Sequence, residues 1–547
     1  MRRNRCITWA LTMLASVALG ACGGSSTRSH SHTAQQQTTS STTHTATTPA
    51  AVRPIVTVDA YEQETDLRHY RISIYDLRRE GPYVVLDFGI TCEEPTSIGC
   101  GTRFDFALPG STGEASNGFN EASGVRLVDP VTDTEYGVVH DAQLNPQASK
   151  LPSQAILDNS LHLGWVKFPA PPATTQTLDI VFPNGGPQVP GVPLSNAPAP
   201  LPTNLGPNGT GETVGDSGAQ PADSTSTAGM TLPITNLTTD AGNAAGSDAE
   251  SPNRATISLR TDVLFKFGKS NLTPRAQAIL TPLAAKIKSR AVGPVKITGY
   301  TDSIGTDQVN IPLSHARAAA VVAALKPALP GVTFQANGLG SADPVAPNTK
   351  PDGSDNPAGR ALNRRVTITF PVKALTSAAP PVAASAGPPA QAGTAHTIDY
   401  HAPGSNNQWR VTINGLYREG NLAVMKLSIT CTVQAGCNGA TDFVGSQSVP
   451  PVTFTQDFLA SGNNALWTLG GFYLTDPTTG TEYIPVYQGA ADPLTSPLNP
   501  NMGADETFPA WIYFSAPPPS TTAVTVSFPG GLPKIGDVPI TNVAPGG

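Results

Sequence analysis

Residues 301–325 read TDSIGTDQVNIPLSHARAAAVVAAL, and this stretch carries the strongest structural signal in the chain. It starts at the end of an apolar run that reads as a strand, passes a glycine turn, and continues as a helix over 310–326. The first residue of that helix, an asparagine, is a favourable N-cap, and a proline is tolerated in the first turn. The chain should therefore fold back so that Asp302 and Arg317, in the second helical turn, flank one pocket.

The surrounding residues alternate between strand and helix patterns. Residues 264–267 suggest a strand, and residues 273–290 have helical spacing with Thr273 as N-cap. Pro282 lies inside that helical pattern and is expected to kink or split the helix. Further strands are predicted over 295–299, 332–335 and 366–370. This alternation indicates an α/β domain, a mixed sheet with helices on one face.

The same region resembles the OmpA-like peptidoglycan-binding domain family, which includes peptidoglycan-associated lipoproteins and flagellar stator proteins. The family pattern T-D-x-x-G, then N-x-x-L-S-x-x-R-A-x-x-V, is filled here by Thr301, Asp302, Gly305, Asn310, Leu313, Ser314, Arg317, Ala318 and Val321. A later G-x-G-[ED]-x-x-P-x-x-x-N region also matches, except that Ser341 replaces the acid, and Gly359–Val366 matches the closing G-R-x-x-N-R-R-V. The resemblance covers residues 254–374 and implies a domain that binds the cell wall.

The chemistry of the wall agrees with this resemblance. Peptidoglycan of the diaminopimelate type presents an ammonium and a carboxylate on one carbon of its stem peptide. One anion and one guanidinium can bind such a zwitterion, because a guanidinium donates two parallel hydrogen bonds to a carboxylate. The resemblance assigns Asp302 to the ammonium and Arg317 to the carboxylate. Backbone amides around Leu313 and Ser314, expected at a helix start, would add donors to the same carboxylate.

Further candidate ligand contacts come from Gly268 and from the arginine pair at 364 and 365. Gly268 stands where the family often has Asp or Asn, so only its backbone could contact a ligand. Of Arg364 and Arg365, one should face the other side of the sheet, because neighbouring strand residues alternate; we take Arg365 as a candidate contact. The alternative is a structural salt bridge between Asp302 and Arg317 with no ligand. The full candidate site is Asp302, Arg317, Thr301, Asn310, Leu313, Ser314, Gly268 and Arg365.

Two segments on either side of this domain repeat each other. Residues 70–92 read YRISIYDLRREGPYVVLDFGITC, and residues 409–431 read WRVTINGLYREGNLAVMKLSITC, without a gap. Ordered matches continue over about 140 residues, which indicates a duplication. Short alternating apolar runs separated by turns favour antiparallel strands, so we predict all-β sandwich repeats over 55–199 and 395–547. On pattern alone, these repeats resemble immunoglobulin-like modules.

The cysteines suggest two local disulfides. Cys92 with Cys100 and Cys431 with Cys437 form two close pairs in a chain expected outside the cytoplasm. Each bond would close a short loop and stabilise the fold by about 2–3 kcal/mol. Metal ligation is the alternative, but neither pair has a His or another Cys near it. We therefore expect no metal site.

The N-terminus resembles a bacterial lipoprotein signal. A basic start, a short apolar run and the sequence Leu19-Gly20-Ala21-Cys22 indicate a signal peptide over 1–21, with Cys22 lipidated after cleavage. Ser, Thr and Gln dominate residues 22–54, which we interpret as a disordered tether. Residues 200–253, and the Ala- and Pro-rich residues 375–394, are predicted to be disordered linkers for the same reason.

Charge and composition narrow the function. The net charge of −7, or −10 without the three signal-peptide arginines, argues against nucleic-acid binding. No catalytic constellation falls on a folded segment, so we predict a non-enzymatic protein without a cofactor that tethers a membrane to peptidoglycan. It would be anchored in the outer membrane, facing the periplasm, or on the outer face of a single membrane. The alternative is an adhesin or assembly scaffold whose β-repeats bind unidentified protein partners and whose central domain is structural only.

Overall fold

The computed structural model of the chain describes these residues: 52–62, 68–95, 100, 122, 124–143, 145–149, 160–183, 186–202, 230, 232–243, 245–251, 253–373, 396–401, 406–438, 469–488, 492–496, 501–528 and 534–542. The predicted signal peptide, the predicted lipidation site Cys22, almost all of the predicted tether and the predicted linker over 375–394 lie outside the described residues. Among the helices that are described, none has the length and apolar character needed to cross a membrane.

The first repeat consists of short antiparallel strands, as its apolar alternation predicts. They are β1 (Val56–Glu62), β2 (Arg68–Glu80), β3 (Tyr83–Cys92), β4 (Arg126–Asp129), β5 (Thr134–Tyr136), β6 (His162–Pro169), β7 (Thr177–Val181) and β8 (Gln188–Pro193). One sheet has the order β1-β2-β3-β6, while β4 pairs with β5 and β7, and β7 with β8. Both groups share one core, where the rings of Phe88 and Phe182 meet edge to face at 5.9 Å. This arrangement is compatible with the predicted sandwich.

The predicted linker over 200–253 contains a β-hairpin, so the prediction of disorder is wrong for residues 234–251. Strands β9 (Ile234–Asn243) and β10 (Gly246–Ser251) pair with each other, and β9 also pairs with β5. The hairpin is rich in small and polar residues and has only two large apolar side chains, Ile234 and Leu237. Its backbone groups are satisfied by strand edges on both sides, which local composition cannot reveal.

The middle domain combines strands and helices, which is compatible with the predicted α/β arrangement. It contains β11 (Arg254–Arg260), α1 (Thr261–Leu264), α2 (Pro274–Arg290), β12 (Val295–Gly299), α3 (Asp307–Leu325), a 3₁₀ turn (Lys326–Ala328), β13 (Phe334–Gly338), α4 (Pro357–Asn363) and β14 (Arg365–Pro371). The sheet order is β13-β12-β14-β11, with β12 and β13 parallel and the other pairs antiparallel. Apolar side chains of α2 and α3 pack against this sheet in one core.

Three details of this domain differ from expectation. Residues 264–267 are not a strand: Leu264 ends α1, and Phe267 is 95% exposed. Helix α2 is not split at Pro282 and begins as predicted, with the Thr273 side chain accepting the Ala276 N–H at 3.2 Å. Helix α3 begins at Asp307 rather than at residue 310.

The polar residues at the start of α3 have different roles from those predicted. Thr306 occupies the N-cap position. The Asn310 side chain, which the sequence offers as a cap, instead donates from Nδ2 to the Ile304 carbonyl at 3.1 Å. The loop before the helix is thus fastened by the residue expected to begin the helix.

The second repeat again consists of strands. They are β15 (His396–His401), β16 (Gln408–Glu419), β17 (Leu422–Cys431), β18 (Cys437–Asn438), β19 (Tyr473–Thr475), β20 (Glu482–Tyr483), β21 (Tyr487–Gln488), β22 (Asp492–Pro493), β23 (Asn501–Met502), β24 (Thr507–Ser515), β25 (Ala523–Ser527), β26 (Lys534–Pro539) and β27 (Thr541–Asn542). The order β15-β16-β17-β24 matches β1-β2-β3-β6 of the first repeat. Strands β20 and β21 pair with β9, and β10 pairs with β11, so the hairpin joins all three folded regions.

The two repeats share side-chain contacts at matching positions. Arg79 donates to the carbonyls of residues 171, 172 and 175, and Arg418 donates to those of residues 517, 518 and 521. The first strand of each matched pair has a register shift at the same place, after Ile74 and after Ile413. Both predicted disulfides, Cys92–Cys100 and Cys431–Cys437, are present.

Candidate ligand-binding site

Asp302 lies just beyond the end of β12 and is 9% exposed. Its Oδ1 accepts the Ile304 N–H at 3.1 Å, and its Oδ2 accepts a hydrogen bond from Arg364 Nη1 at 2.8 Å. The Nε of Arg360 lies 3.7 Å from the same Oδ2, an ion-pairing distance too long for a hydrogen bond. The carboxylate is therefore fixed in direction and partly neutralised.

Arg317 projects from the inner face of α3 and is 5% exposed. Its Nε donates to the Lys269 carbonyl at 3.1 Å, and its guanidinium carbon lies 5.6 Å from the centre of the Phe265 ring. Burial lowers the pKa of this guanidinium, while the charges of Asp262 and Asp302 raise it. Among the described residues, no carboxylate forms an ion pair with Arg317, so the structural salt bridge between Asp302 and Arg317 does not form here.

Arg364, rather than Arg365, contacts Asp302. Its guanidinium bridges two carboxylates: Nε and Nη2 donate to Asp262 at 3.0 and 2.5 Å, and Nη1 donates to Asp302. The hydrogen bond to Asp262 raises the pKa of the Arg364 guanidinium, and the bond to Asp302 adds to this. Arg365 is held elsewhere, with its guanidinium carbon 3.7 Å from the centre of the Tyr300 ring and Nη2 donating to the Asp343 carbonyl at 2.9 Å.

Sequence reasoning missed Arg364 and Asp262 for different reasons. The N-R-R-V motif indicated that one of its two arginines, Arg364 or Arg365, would contact the site. Strand alternation showed that only one of them would face the site, but not which one. For Asp262 there was no comparable signal, because the segment around it read as a strand. In the structure Asp262 lies in α1, directly after β11.

Three other predicted residues position the backbone around this site. Thr301 donates its Oγ1 proton to the Asp302 carbonyl at 2.9 Å, and its N–H bonds to the Gly340 carbonyl at 2.7 Å. Ser314, fully buried, donates to the Ile311 carbonyl at 2.9 Å and accepts the Gly340 N–H at 3.0 Å. Asn310, already described, holds the Ile304 carbonyl.

The expectation of free backbone amides near Leu313 and Ser314 is wrong. Because α3 begins at Asp307, these residues lie beyond the first four helical N–H groups, which alone lack an intrahelical partner. Gly268 lies in the turn closed by the Lys269 N–H and the Lys266 carbonyl at 3.0 Å, with φ +67. A Cβ at Gly268 would meet nothing within 4 Å, so this position faces open space.

The charged groups at the site alternate in sign. Asp262, Arg364 and Asp302 form a row connected by hydrogen bonds. The charges of both carboxylates also act on Arg317. Arg360 forms an ion pair with Asp355 at the edge of the row. Two carboxylates and two central guanidinium groups give the row no net charge. In the described ranges, no group of three His, Cys, Asp or Glu side chains is arranged to hold a metal ion. The arrangement suits a small ligand with both charges.

Comparison with known proteins shows what this region is similar to. Residues 264–357 match the OmpA family. The chain is 42% identical over 118 residues to photosystem I P700 chlorophyll a apoprotein A2 of Gloeobacter violaceus, covering 21% of this chain and 14% of that protein. It is 37% identical over 123 residues to outer membrane protein A of Klebsiella aerogenes, covering 21% of this chain and 34% of that protein. A similar solved structure is the peptidoglycan-associated lipoprotein from Burkholderia pseudomallei, 32% identical, covering 20% of this chain and 87% of that chain with a TM-score of 0.16.

Proposed function

We propose that the region matching the OmpA family, residues 264–357, binds peptidoglycan by holding the zwitterionic end of a diaminopimelate residue. In this proposal Arg317 binds the ligand carboxylate, and Asp302 accepts hydrogen bonds from the ligand ammonium. Arg364 and Asp262 act as positioning residues that fix the direction of Asp302. The protein has a binding role and catalyses no reaction.

The observation that carries the proposal is the state of Arg317. Its side chain is almost completely buried, yet among the described residues its guanidinium forms no ion pair, and its Nε donates one hydrogen bond, to the Lys269 carbonyl. The charges of Asp262 and Asp302 act on it without forming an ion pair, and a buried charge is tolerated best when it is directly paired and hydrogen-bonded. A ligand carboxylate would supply that direct partner.

The charge balance of the site supports the choice of a zwitterion. A simple anion would meet Asp302 and Asp262, and a simple cation would meet Arg317 and Arg364. A ligand with an ammonium and a carboxylate on one carbon can face an acid and a guanidinium at once. Ionised hydrogen bonds of this kind are shorter and stronger than neutral ones.

The wider role follows from the rest of the chain. With Cys22 lipidated, the protein would attach a membrane of the cell envelope to the wall, and the β-repeats would act as spacers or as binding modules for unidentified protein partners. Support for this part comes from the N-terminal sequence pattern and from relatives such as outer membrane protein A.

The proposal is tested with the full chain, by titration with free diaminopimelate and by retention on purified sacculi. We expect Asp302→Asn and Arg317→Lys each to weaken both by about 10- to 100-fold, because a hydrogen bond to a charged group contributes about 1.5–3 kcal/mol. Arg317→Lys keeps the charge and removes the fork, so it also tests the two-bond geometry.

Arg410→Ala is the matched control, because it removes an exposed guanidinium that pairs with Asp399 at 2.9 Å in the second repeat. It should leave both readouts unchanged. If the unsubstituted protein takes up no diaminopimelate and is not retained by sacculi, the proposed function is refuted. Circular dichroism confirms that each variant is folded.

A further inference from the structure

The central domain carries a charge of opposite sign to the rest of the chain. Residues 254–374 contain 16 Lys and Arg residues against 6 Asp and Glu residues, a formal charge of +10, although the whole chain carries −7. The regions of the two repeats are acidic, with −10 over residues 55–199 and −6 over residues 395–547. Overall composition conceals this basic domain, and a strong local charge favours a partner of opposite charge.

All six acids of this domain lie at the end that holds the candidate site. The segments that follow β11, β12 and β13, together with the first residue of α3, contain Asp262, Asp302, Asp307, Asp343, Asp352 and Asp355. Arginines at the same end form ion pairs with Asp262, Asp302 and Asp355. Positive and negative charges are therefore mixed at this end of the domain.

The opposite end of the domain presents exposed cations. There β11 begins, α2 and α3 end, and the end of β14 lies beside the start of β12. We define the basic end as five exposed side chains: Arg254, Lys288, Lys296, Lys326 and Lys373. In the described part of the chain, none of the five has an ion-pair partner.

Backbone hydrogen bonds bring the segments of the basic end together. The Lys373 N–H donates to the Arg290 carbonyl at 2.7 Å, and the Val292 N–H donates to the Pro371 carbonyl at 3.0 Å. Arg254 lies opposite Pro371 in the β11–β14 pair. The end of α2, the start of β11 and the end of β14 therefore form one surface, and Val292, 61% exposed, lies within it.

Local structural roles explain only part of this charge. Lys288 and Lys326 lie at the C-terminal ends of helices, where a cation offsets the negative end of the helix dipole. The other three cations lie on strands or directly after one, where no such dipole exists. The nearby acids of β10 are already paired, since Asp248 and Glu250 lie 2.8 and 2.7 Å from Lys286 Nζ.

We propose that the basic end docks on a membrane surface rich in anionic phospholipid, with Val292 entering the headgroup region between the cations. The inference does not depend on the ligand of the candidate site. Each Lys or Arg near an anionic bilayer adds to the attraction, so several cations on one surface hold a protein that a single cation would not.

A membrane fits this surface better than a soluble anionic polymer. An apolar side chain among cations can enter the bilayer interface, whereas a polymer of charged groups offers it no apolar contact. The basic end and the candidate site lie at opposite ends of α3, whose 19 residues span about 28 Å. The domain can therefore face a membrane with one end and the cell wall with the other, and the predicted lipid on Cys22 would keep that membrane within reach.

Vesicle sedimentation tests the proposal, using the chain from residue 23 onward, which lacks the predicted lipidation site and keeps every described residue. We expect this chain to bind vesicles containing about one third phosphatidylglycerol at least about tenfold more tightly than pure phosphatidylcholine vesicles, and to be released by high salt. Lys288→Gln with Lys373→Gln should weaken binding about 30-fold, because two cations leave the surface. Val292→Ala should weaken it about fivefold, because methyl groups leave the interface.

Arg275→Gln with Lys350→Gln is the matched control, because it removes the same charge from two exposed positions at the end that holds the candidate site. It should bind the anionic vesicles within about twofold of the unsubstituted chain. The inference is overturned if neutral and anionic vesicles bind equally, if the control pair weakens binding as much as the pair from the basic end, or if Val292→Ala has no effect. Binding to soluble polyphosphate without binding to vesicles would also overturn it, and would assign the basic end to an anionic polymer.

Discussion

We expect the stability of the protein to depend on pH through the Asp133 carboxyl group, which lies at the contact between the two repeats. Asp133 lies in the turn before β5, is 3% exposed, and accepts one hydrogen bond at Oδ2, from Asn421 Nδ2 of the second repeat at 3.2 Å. Its Oδ1 is buried and has no hydrogen-bond partner. Burial raises the pKa of Asp133 from 3.8 to about 8. The folded state therefore prefers the neutral carboxylic acid.

This preference determines how the stability of the folded state changes with pH. In the unfolded chain Asp133 loses its proton near pH 4, whereas in the folded chain it keeps the proton until about pH 8. Stability therefore falls as pH rises between these values, by up to about 1.4 kcal/mol for each unit. Over the whole window the cost is on the order of 5 kcal/mol, an upper limit for a buried group.

The substitution Asp133→Asn removes this cost while keeping the shape of the side chain. An asparagine can still accept the Asn421 hydrogen bond, and it tolerates the φ of +52 found at this position. We expect the variant to gain stability over the unsubstituted protein as pH rises from 4 toward 8, and to gain nothing more above that range.

Urea unfolding at a series of pH values, followed by tryptophan fluorescence, measures the difference in midpoint. Asp537→Asn is the control, because Asp537 also has a positive φ of 54 but is exposed. It reports the backbone effect of the same substitution without burial. Parallel pH profiles for Asp133→Asn and the unsubstituted protein would refute the reasoning.

Two further substitutions test the packing. Leu237→Ala, at a fully buried position of β9, should cost about 2–5 kcal/mol and increase protease cleavage within residues 230–251, whereas Ile234→Ala, 52% exposed on the same strand, should not. Gly338→Ala would place a Cβ 2.3 Å from the His315 backbone nitrogen, so we expect the free energy of unfolding, measured by thermal unfolding, to fall by about 1–3 kcal/mol. Gly415→Ala is the control: its Cβ would meet nothing within 4 Å, and the free energy of unfolding should change by less than about 0.5 kcal/mol.

The sequence predicted those parts of the fold that depend on local patterns. Helix α2 has both its apolar spacing and its cap, Thr273, within one short stretch, and each disulfide joins cysteines that are close along the chain. The β9–β10 hairpin could not be found in this way. Its stability comes from strand edges supplied by both repeats and by β11, which are far away in sequence.

The candidate site was also predicted only where local sequence encodes it. Asp302 and Arg317 became candidates because they fill the motif of the OmpA-like family, and the proposed zwitterionic ligand would use both residue types. The choice between Arg364 and Arg365 depended on which side of β14 faces α1, and that is fixed only when the sheet is assembled. Arg364 ends up bonded to Asp262, a residue whose short helix the apolar pattern had concealed.

The contact between the described parts of the two repeats uses non-equivalent residues of the two copies. In the second repeat, Lys426 donates to the Gln188 carbonyl of the first repeat at 2.8 Å, and Tyr513 donates to Asp179 at 2.5 Å. The residue of the first repeat that matches Lys426 is Asp87, which pairs with Arg78 inside its own repeat.

That face of the first repeat is already covered. Asp76, beside Arg78, accepts hydrogen bonds from Ser195 Oγ at 3.2 Å and from the Ala199 N–H at 3.0 Å. A further repeat docking as the second one does would have to displace this segment and separate a buried ion pair, which is strongly destabilising. The two copies have therefore diverged at matching positions: Lys426 contacts the other repeat, whereas Asp87 pairs within its own repeat.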